Sequence, residues 1–145
     1  MQPGSSLRRA TETEVIDRIE KTDAQWRAEL TAQQYRVARG RSTEPAGSGR
    51  YWKETAAGVY HCVCCGLPLF SSDDKYNCHS GWPSYTAPIR PDHVAARPDD
   101  RTGTVRTEVL CARCGAHLGH VFDDGPKPTG RRYCINSVCL KLVER

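Results

Sequence analysis

Eight cysteines in 145 residues constrain this chain more than any other feature, and four of them fall into two matched pairs. Cys62-Val63-Cys64-Cys65 and Cys111-Ala112-Arg113-Cys114 each hold thiols separated by two residues, and each run is followed at once by glycine, Gly66 or Gly115. Thiolates at that offset can reach one ion from a tight knuckle, with the glycine supplying a positive φ or a close backbone approach. Two such knuckles provide the four soft donors of a tetrahedral structural Zn²⁺. Cys64 also lies in the first knuckle, but Cys62 has the required offset to Cys65 and Cys64 does not. A closed four-sulfur shell has no position for substrate, so the predicted ion ties strands together and does no chemistry. Iron is the alternative at the same geometry.

The competing reading of so many cysteines is a disulfide framework, which belongs in secreted chains. Met1 to Thr11 lacks the apolar middle of a secretory signal. No apolar run approaches the roughly 18 residues of a membrane span. A cytoplasmic location without a membrane partner is therefore expected. Lys plus Arg number 21 against 17 Asp plus Glu, a formal balance of +4, and the two signs are interleaved. The largest basic cluster is Arg131-Arg132, far short of the basic stripe that nucleic acid requires. No nucleic-acid partner is expected, and nothing demands a dimer, so the chain is read as a monomer. Its length and an apolar share of 38% suit one domain, taken as 12–145 behind a flexible tail at 1–11.

The first part reads as two or three short helices between residues 12 and 38. Glu14, Val15, Ile16 and Ile19 place apolar groups near one face. Thr22 with Gln25, and Thr31 with Gln34, have the spacing of capping boxes, and Trp26 and Leu30 are neighbours on one side. Residues 40–50 read as an ordered loop or linker. Beyond Tyr51 strands dominate: Val59 to Cys62, Leu69-Phe70, the alternating Thr104 to Leu110, His117 to Phe122, and Tyr133 to Val143. Arg90 to Gly103, polar and broken by Pro91, Pro98 and Gly103, reads as a surface loop. The expected fold is mainly β, with small antiparallel sheets and short N-terminal helices.

Cys64, Cys78, Cys134 and Cys139 lie outside the two pairs. In an extended Arg131 to Ser137, Arg132, Cys134 and Asn136 share a face, and the arginine would favour thiolate over thiol. A buried structural cysteine beside a solvent-facing arginine is the alternative. His117 and His120 could act as acid or hydrogen-bond donors near neutrality. Gly81-Trp82-Pro83 offers a rigid aromatic turn.

Gly81-Trp82-Pro83-Ser84, His117-Leu118-Gly119-His120-Val121-Phe122-Asp123-Asp124-Gly125-Pro126 and Arg132-Tyr133-Cys134-Ile135-Asn136-Ser137 together resemble the methionine-R-sulfoxide reductases of the B type. Thr43-Glu44, Leu69-Phe70 and Arg106-Thr107-Glu108-Val109 fit as well, so the likeness runs from about Trp26 to Leu142. The resemblance implies a tent-like all-β fold, the zinc form, and action on the R epimer of methionine sulfoxide in oxidised proteins. It implies Cys134 as nucleophile and Trp82 against the substrate methyl group. His117 and His120 would lie beside the sulfoxide oxygen, Asn136 and Phe122 would complete the substrate site, and Arg132 would sit near the thiol. Thioredoxin is the implied reductant. The sequence departs from the family at Ser80, where many relatives carry cysteine; the nearest thiol is Cys78, which becomes the favoured resolving cysteine over Cys64 and Cys139. Two rivals explain less of the chain: a non-catalytic zinc module, and a general protein disulfide reductase.

Overall fold

The computed structural model describes residues 16–145. The expected tail at 1–11 and the helical pattern through Glu14 and Val15 lie outside the described residues. Ile16 to Thr22 forms no helix. That segment instead straps the second cysteine knuckle: the Ile19 amide donates to Arg113 O at 2.8 Å and the Arg18 guanidinium to Ala112 O at 3.0 Å. Helix α1 (Asp23–Glu29) and helix α2 (Ala32–Gln34), which continues as a wider turn over Tyr35–Arg39, both begin on complete capping boxes. The Thr22 hydroxyl accepts from Gln25 N while the Gln25 side chain accepts from Thr22 N, and Thr31 with Gln34 repeats the exchange. Trp26 is buried, with the Arg39 guanidinium 4.2 Å above its ring.

Nine strands follow: β1 (Gly58–Cys62), β2 (Pro68–Ser71), β3 (Lys75–Tyr76), β4 (Ser84–Tyr85), β5 (Val94–Asp99), β6 (Arg106–Cys111), β7 (His117–Phe122), β8 (Arg132–Ile135) and β9 (Leu140–Glu144). They make two antiparallel sheets, β2-β1-β9 and β3-β4-β8-β7-β6-β5. An aromatic cluster joins the sheets. Tyr60 and Phe70 come from the smaller one, Tyr85 and Tyr133 from the larger, with ring centroids 5.4 Å (Tyr60–Tyr85), 4.5 Å (Phe70–Tyr85) and 5.8 Å (Phe70–Tyr133) apart. Edge and offset contacts of this kind add about 0.5–1.5 kcal/mol each beyond burial of area. Because side chains alternate across a strand, Tyr133 and Ile135 turning into this core sends Cys134 to the opposite face of the large sheet.

Three sequence expectations need correction. Arg90 to Gly103 is not simply a loop, since Val94–Asp99 pairs with β6 along its whole length. As the exposed edge strand it carries no apolar alternation, and Pro98 is tolerated there because an edge leaves one row of amides unpaired. Tyr133 to Val143 is not one strand: a turn at Ser137–Cys139 hands the chain from the large sheet to the small one. The Thr104 to Leu110 strand begins only at Arg106 and runs to Cys111; Glu108 through Cys111 are all buried, so alternation fails in this interior strand.

Candidate active site and metal centre

The two knuckles superpose in pattern. Gly66 N donates to Cys62 O at 2.8 Å and Gly115 N to Cys111 O at 2.9 Å. The amides of Cys62 and Cys111 donate to Leu67 O and Ala116 O in turn. Gly66 and Gly115 adopt φ of 83° and 76°, the left-handed region where a side chain would strain the backbone. Their sulfurs meet. Cys62 Sγ lies 3.7 Å from Cys114 Sγ, Cys65 Sγ lies 3.5 Å from Cys111 Sγ, and all four are within 4.8 Å of one another. A tetrahedral zinc with bonds of about 2.3 Å separates its sulfurs by about 3.8 Å, so the four cysteines fit that ion. Arg39 reaches Cys114 Sγ at 3.7 Å and offsets negative charge on the cluster. Cys64 is half-buried beside this cluster.

The second thiol centre is built by register. On the large sheet, Arg97 pairs with Glu108, Glu108 with His120, His120 with Cys134, Cys134 with Ser84, and Ser84 with Tyr76. Directly opposed residues share a face, so one polar row crosses all six strands with Cys134 and His120 adjacent. Two residues further along, Asp99 pairs with Arg106 and Phe122 with Arg132, which places a second row on the same face. Gly119 lets β7 approach β8, because a β-carbon there would sit 2.0 Å from Cys134 O.

A cavity of about 250 Å³ opens over these rows, lined by Cys134, His120, Phe122, Arg132, Arg106, Gly119, Trp82, Thr43 and Asn136. The loop from Gly40 to Arg50 braces it. Glu44 O accepts from the Trp82 indole at 3.0 Å, and Glu44 N donates to Asn136 Oδ1 at 3.0 Å. Asn136 Nδ2 donates in turn to Leu118 O, so this side chain is committed to holding the site. The Arg132 guanidinium lies 4.3 Å from the Phe122 ring and donates to Asp124 at 2.9 and 3.1 Å.

Each histidine has its own carboxylate. His117 Nδ1 is 2.6 Å from Glu108, and His120 Nε2 is 2.8 Å from Asp99. Both acids are fully enclosed. Glu108 also accepts from Arg41 and Arg97, while Asp99 accepts a forked pair from Arg101. Burial alone would raise Glu108, but Arg41, Arg97 and His117 outweigh it and hold the carboxyl at about 2. Asp99 is held well below the usual carboxylate range, first by Arg101 and then by His120. Burial lowers both imidazoles despite these partners, so they rest neutral near pH 7.

His120 lines the cavity, whereas His117 lies behind it, 1% exposed, with its ring centroid 5.5 Å from that of His120. The expectation that Arg132 keeps Cys134 charged is also corrected: burial dominates, Arg132 opposes it only in part, and the thiol is pushed up to about 11. Asp124 already takes part of the field of Arg132. Cys78 behaves oppositely. Burial would raise it, but Ser80 at 3.2 Å and Ser84 at 3.0 Å outweigh that and lower it. Because Ser84 is the cross-strand partner of Cys134, its hydroxyl places Cys78 beside the row that holds Cys134. Cys139 is fully buried and donates to His117 O at 3.1 Å, with no face toward the cavity.

A family model described as the SelR domain matches residues 30–144. The chain is 52% identical over 127 residues to the peptide methionine sulfoxide reductase MsrB of Hahella chejuensis, covering 88% of this chain and 91% of that one. Pseudomonas putida MsrB is 54% identical over 130 residues (90% and 99%), and Thiobacillus denitrificans MsrB 56% over 122 residues (84% and 92%). The chain belongs to the MsrB family. Its four-cysteine cluster is that of the zinc-containing members, and its paired antiparallel sheets and short N-terminal helices agree with the MsrB fold.

The roles of Asp99, Glu108, Glu44, Arg106 and Ser84 in this MsrB site are not legible in the sequence. Glu108 carried a faint signal, a charged residue within an apolar strand. Asp99 carried none, sitting in a stretch that looked like a loop.

Proposed function

We infer that the chain reduces the R epimer of methionine sulfoxide in oxidised proteins to methionine, with Cys134 as nucleophile. The observation that carries this reading is a single cavity lined by Cys134 together with an indole, Trp82, and an imidazole, His120. Sulfoxide sulfur is electrophilic, but its oxygen leaves only when protonated. The Cys134 sulfur attacks, Trp82 and Phe122 receive the S-methyl side, and His120 serves the oxygen. Asn136 keeps the floor in place, and His117 supports His120 from behind. An apolar wall facing a polar one is how such a pocket separates epimers. The protonated oxygen passes to the Cys134 sulfur as the bond between the two sulfurs breaks, so methionine leaves and Cys134 remains as a sulfenic acid.

Cys78 is the resolving cysteine in this proposal. Its lowered thiol is the better attacking group, and Ser80 and Ser84 keep it beside Cys134. The sulfenic oxygen departs as water, and an external dithiol then opens the Cys134–Cys78 disulfide. Thioredoxin fits that task on family grounds. Residues 12–145 act as one domain, and the chain works as a cytoplasmic monomer without nucleic-acid or membrane partners. In support, among the described residues no helix is long and apolar enough to cross a membrane. The zinc site, remote in role from the cavity, holds the two knuckles together.

Turnover on separated R and S sulfoxides tests this reading. The parent protein should consume only the R epimer, Cys134→Ser should consume neither, and Cys78→Ser should complete one stoichiometric reduction and then stall with thioredoxin. Full thioredoxin-supported cycling by Cys78→Ser would move the resolving role to Cys64, Cys139 or an outside thiol.

A further inference from the structure

The mechanism so far leaves the source of the proton on the departing oxygen unassigned, and one enclosed carboxylate beside the cavity without a role. Asp99 ends the edge strand β5, where its side chain is fully sealed from water. A bare anion there would be costly to bury. It is anchored by the Arg101 fork at 2.8 and 2.9 Å and by the Arg101 amide at 3.1 Å, with Arg106 at 3.7 Å. Its remaining contact is His120 Nε2 at 2.8 Å.

An ionised carboxylate only accepts hydrogen bonds, so the proton of the neutral His120 ring must sit on Nε2. Nδ1 is then a lone pair on the ring that lines the cavity. Directly across the ladder is Cys134, with β-carbons about 5 Å apart for such a pair. A nucleophile, a base on the neighbouring strand, and a third group that orients the base is the arrangement of an activated nucleophile.

We propose that Asp99 is a positioning residue of the reaction, fixing His120 in the Nε2–H form so that Nδ1 can carry the proton of the Cys134 thiol to the sulfoxide oxygen. The proposal rests on the reading of Cys134 as nucleophile. As the Cys134 S–H bond breaks, its proton passes to Nδ1 and the sulfur bonds to the sulfoxide sulfur. Nδ1 gives that proton to the sulfoxide oxygen, which passes to the Cys134 sulfur as the substrate S–O bond and the new S–S bond break. Cys134 is oxidised by two electrons to a sulfenic acid, and the sulfoxide is reduced by two electrons to methionine. No outside proton or electron enters this half-reaction. A site resting as neutral thiol and neutral imidazole contains the single proton it needs.

The charged and titratable groups facing His120 are Asp99, Arg106, Glu108, His117 and Cys134, with Arg101 behind Asp99. Among these, Asp99 is bonded to the ring and favours its protonated state. Removing the charge lowers the pH at which the imidazole protonates. Two measurements test the assignment. In single turnovers with an R-sulfoxide peptide, Asp99→Asn should lose about 100-fold in rate with little change in substrate affinity. Its acid limb should also move down by about one pH unit. A rate within twofold of the parent, or a uniform loss with the acid limb unmoved, overturns the proposal. Should that variant misfold, ring ¹⁵N spectra of the unsubstituted protein decide: His120 protonated on Nε2 is the expected result, and protonation on Nδ1 overturns it. An unsubstituted protein that reduces no sulfoxide would instead defeat the Cys134 reading, and the ring spectra would still judge Asp99.

Discussion

The molecule has two thiol centres, and they are assembled by different physics. At the metal end, four sulfurs arrive on two short knuckles whose geometry is local: a two-residue offset, a glycine of positive φ, and one amide-to-carbonyl bond closing each turn. At the reaction end, Arg132 and Asn136 are the sequence neighbours that share the cavity with Cys134, and the rest of its environment comes from strands laid side by side, with Glu108, His120 and Ser84 brought into its row only through ladder register. Charge differs as well. The clustered thiols can share an ion and lose their protons to it, whereas Cys134 is half-buried at the cavity, and its burial favours the protonated thiol. The metal end therefore stores folding free energy, and the reaction end stores reactivity.

That division can be broken most directly with serine. Cys134→Ser should abolish sulfoxide reduction while zinc content and melting temperature stay at parent values. A variant that loses zinc or melts much earlier would show that the centres are not separable. The reverse experiment is Cys114→Ser, or removal of the ion by a chelator. Structural zinc binding contributes on the order of 10 kcal/mol, comparable with the whole stability of a domain. Loss of cooperative unfolding is expected, read by calorimetry with metal analysis.

Effects within the reaction end should be smaller. Glu108→Gln leaves Arg41 and Arg97 facing a neutral amide, and because both guanidinium groups still reach water the loss should be about 1.5–3 kcal/mol. Denaturant melts should show that loss at neutral pH. In acid the same group sets a direction. Its folded value, about 2, lies below the ordinary carboxylate value of 4.5, so its contribution is complete above 4.5 and is lost as pH falls toward 2. His117 and His120, lowered from 6.5, begin to subtract stability at higher pH, as the unfolded chain takes up their protons first. Stability should thus decline steadily below about pH 6.5, and Glu108→Gln should flatten the lower part of that curve. The smallest change is expected from Arg132→Gln. Because Arg132 only partly opposes burial, alkylation of Cys134 should shift to still higher pH, without loss of zinc.

What the sequence disclosed follows the same line between local and remote. The zinc ligands and both capping boxes depend on spacings of two or three residues, and they were legible before any fold. Cys134, Trp82, His120 and Asn136 were named from motif likeness, and they converge on one cavity. Asp99 was hidden because an exposed edge strand has no apolar period to reveal it, and its carboxylate matters only through a neighbour on β7. The state of Cys134 is hidden from the sequence for a related reason. A nearby arginine is visible in sequence, but the burial that outweighs it, and the Asp124 that shares it, are properties of the folded sheet.

Peptide mapping by mass spectrometry, after one equivalent of R-sulfoxide without added reductant, tests the separation of the two centres at its root. One new disulfide between Cys134 and Cys78 is predicted, with Cys62, Cys65, Cys111 and Cys114 still reduced and one zinc retained. Oxidation within those four, or an unmodified Cys134 after methionine has formed, would contradict it.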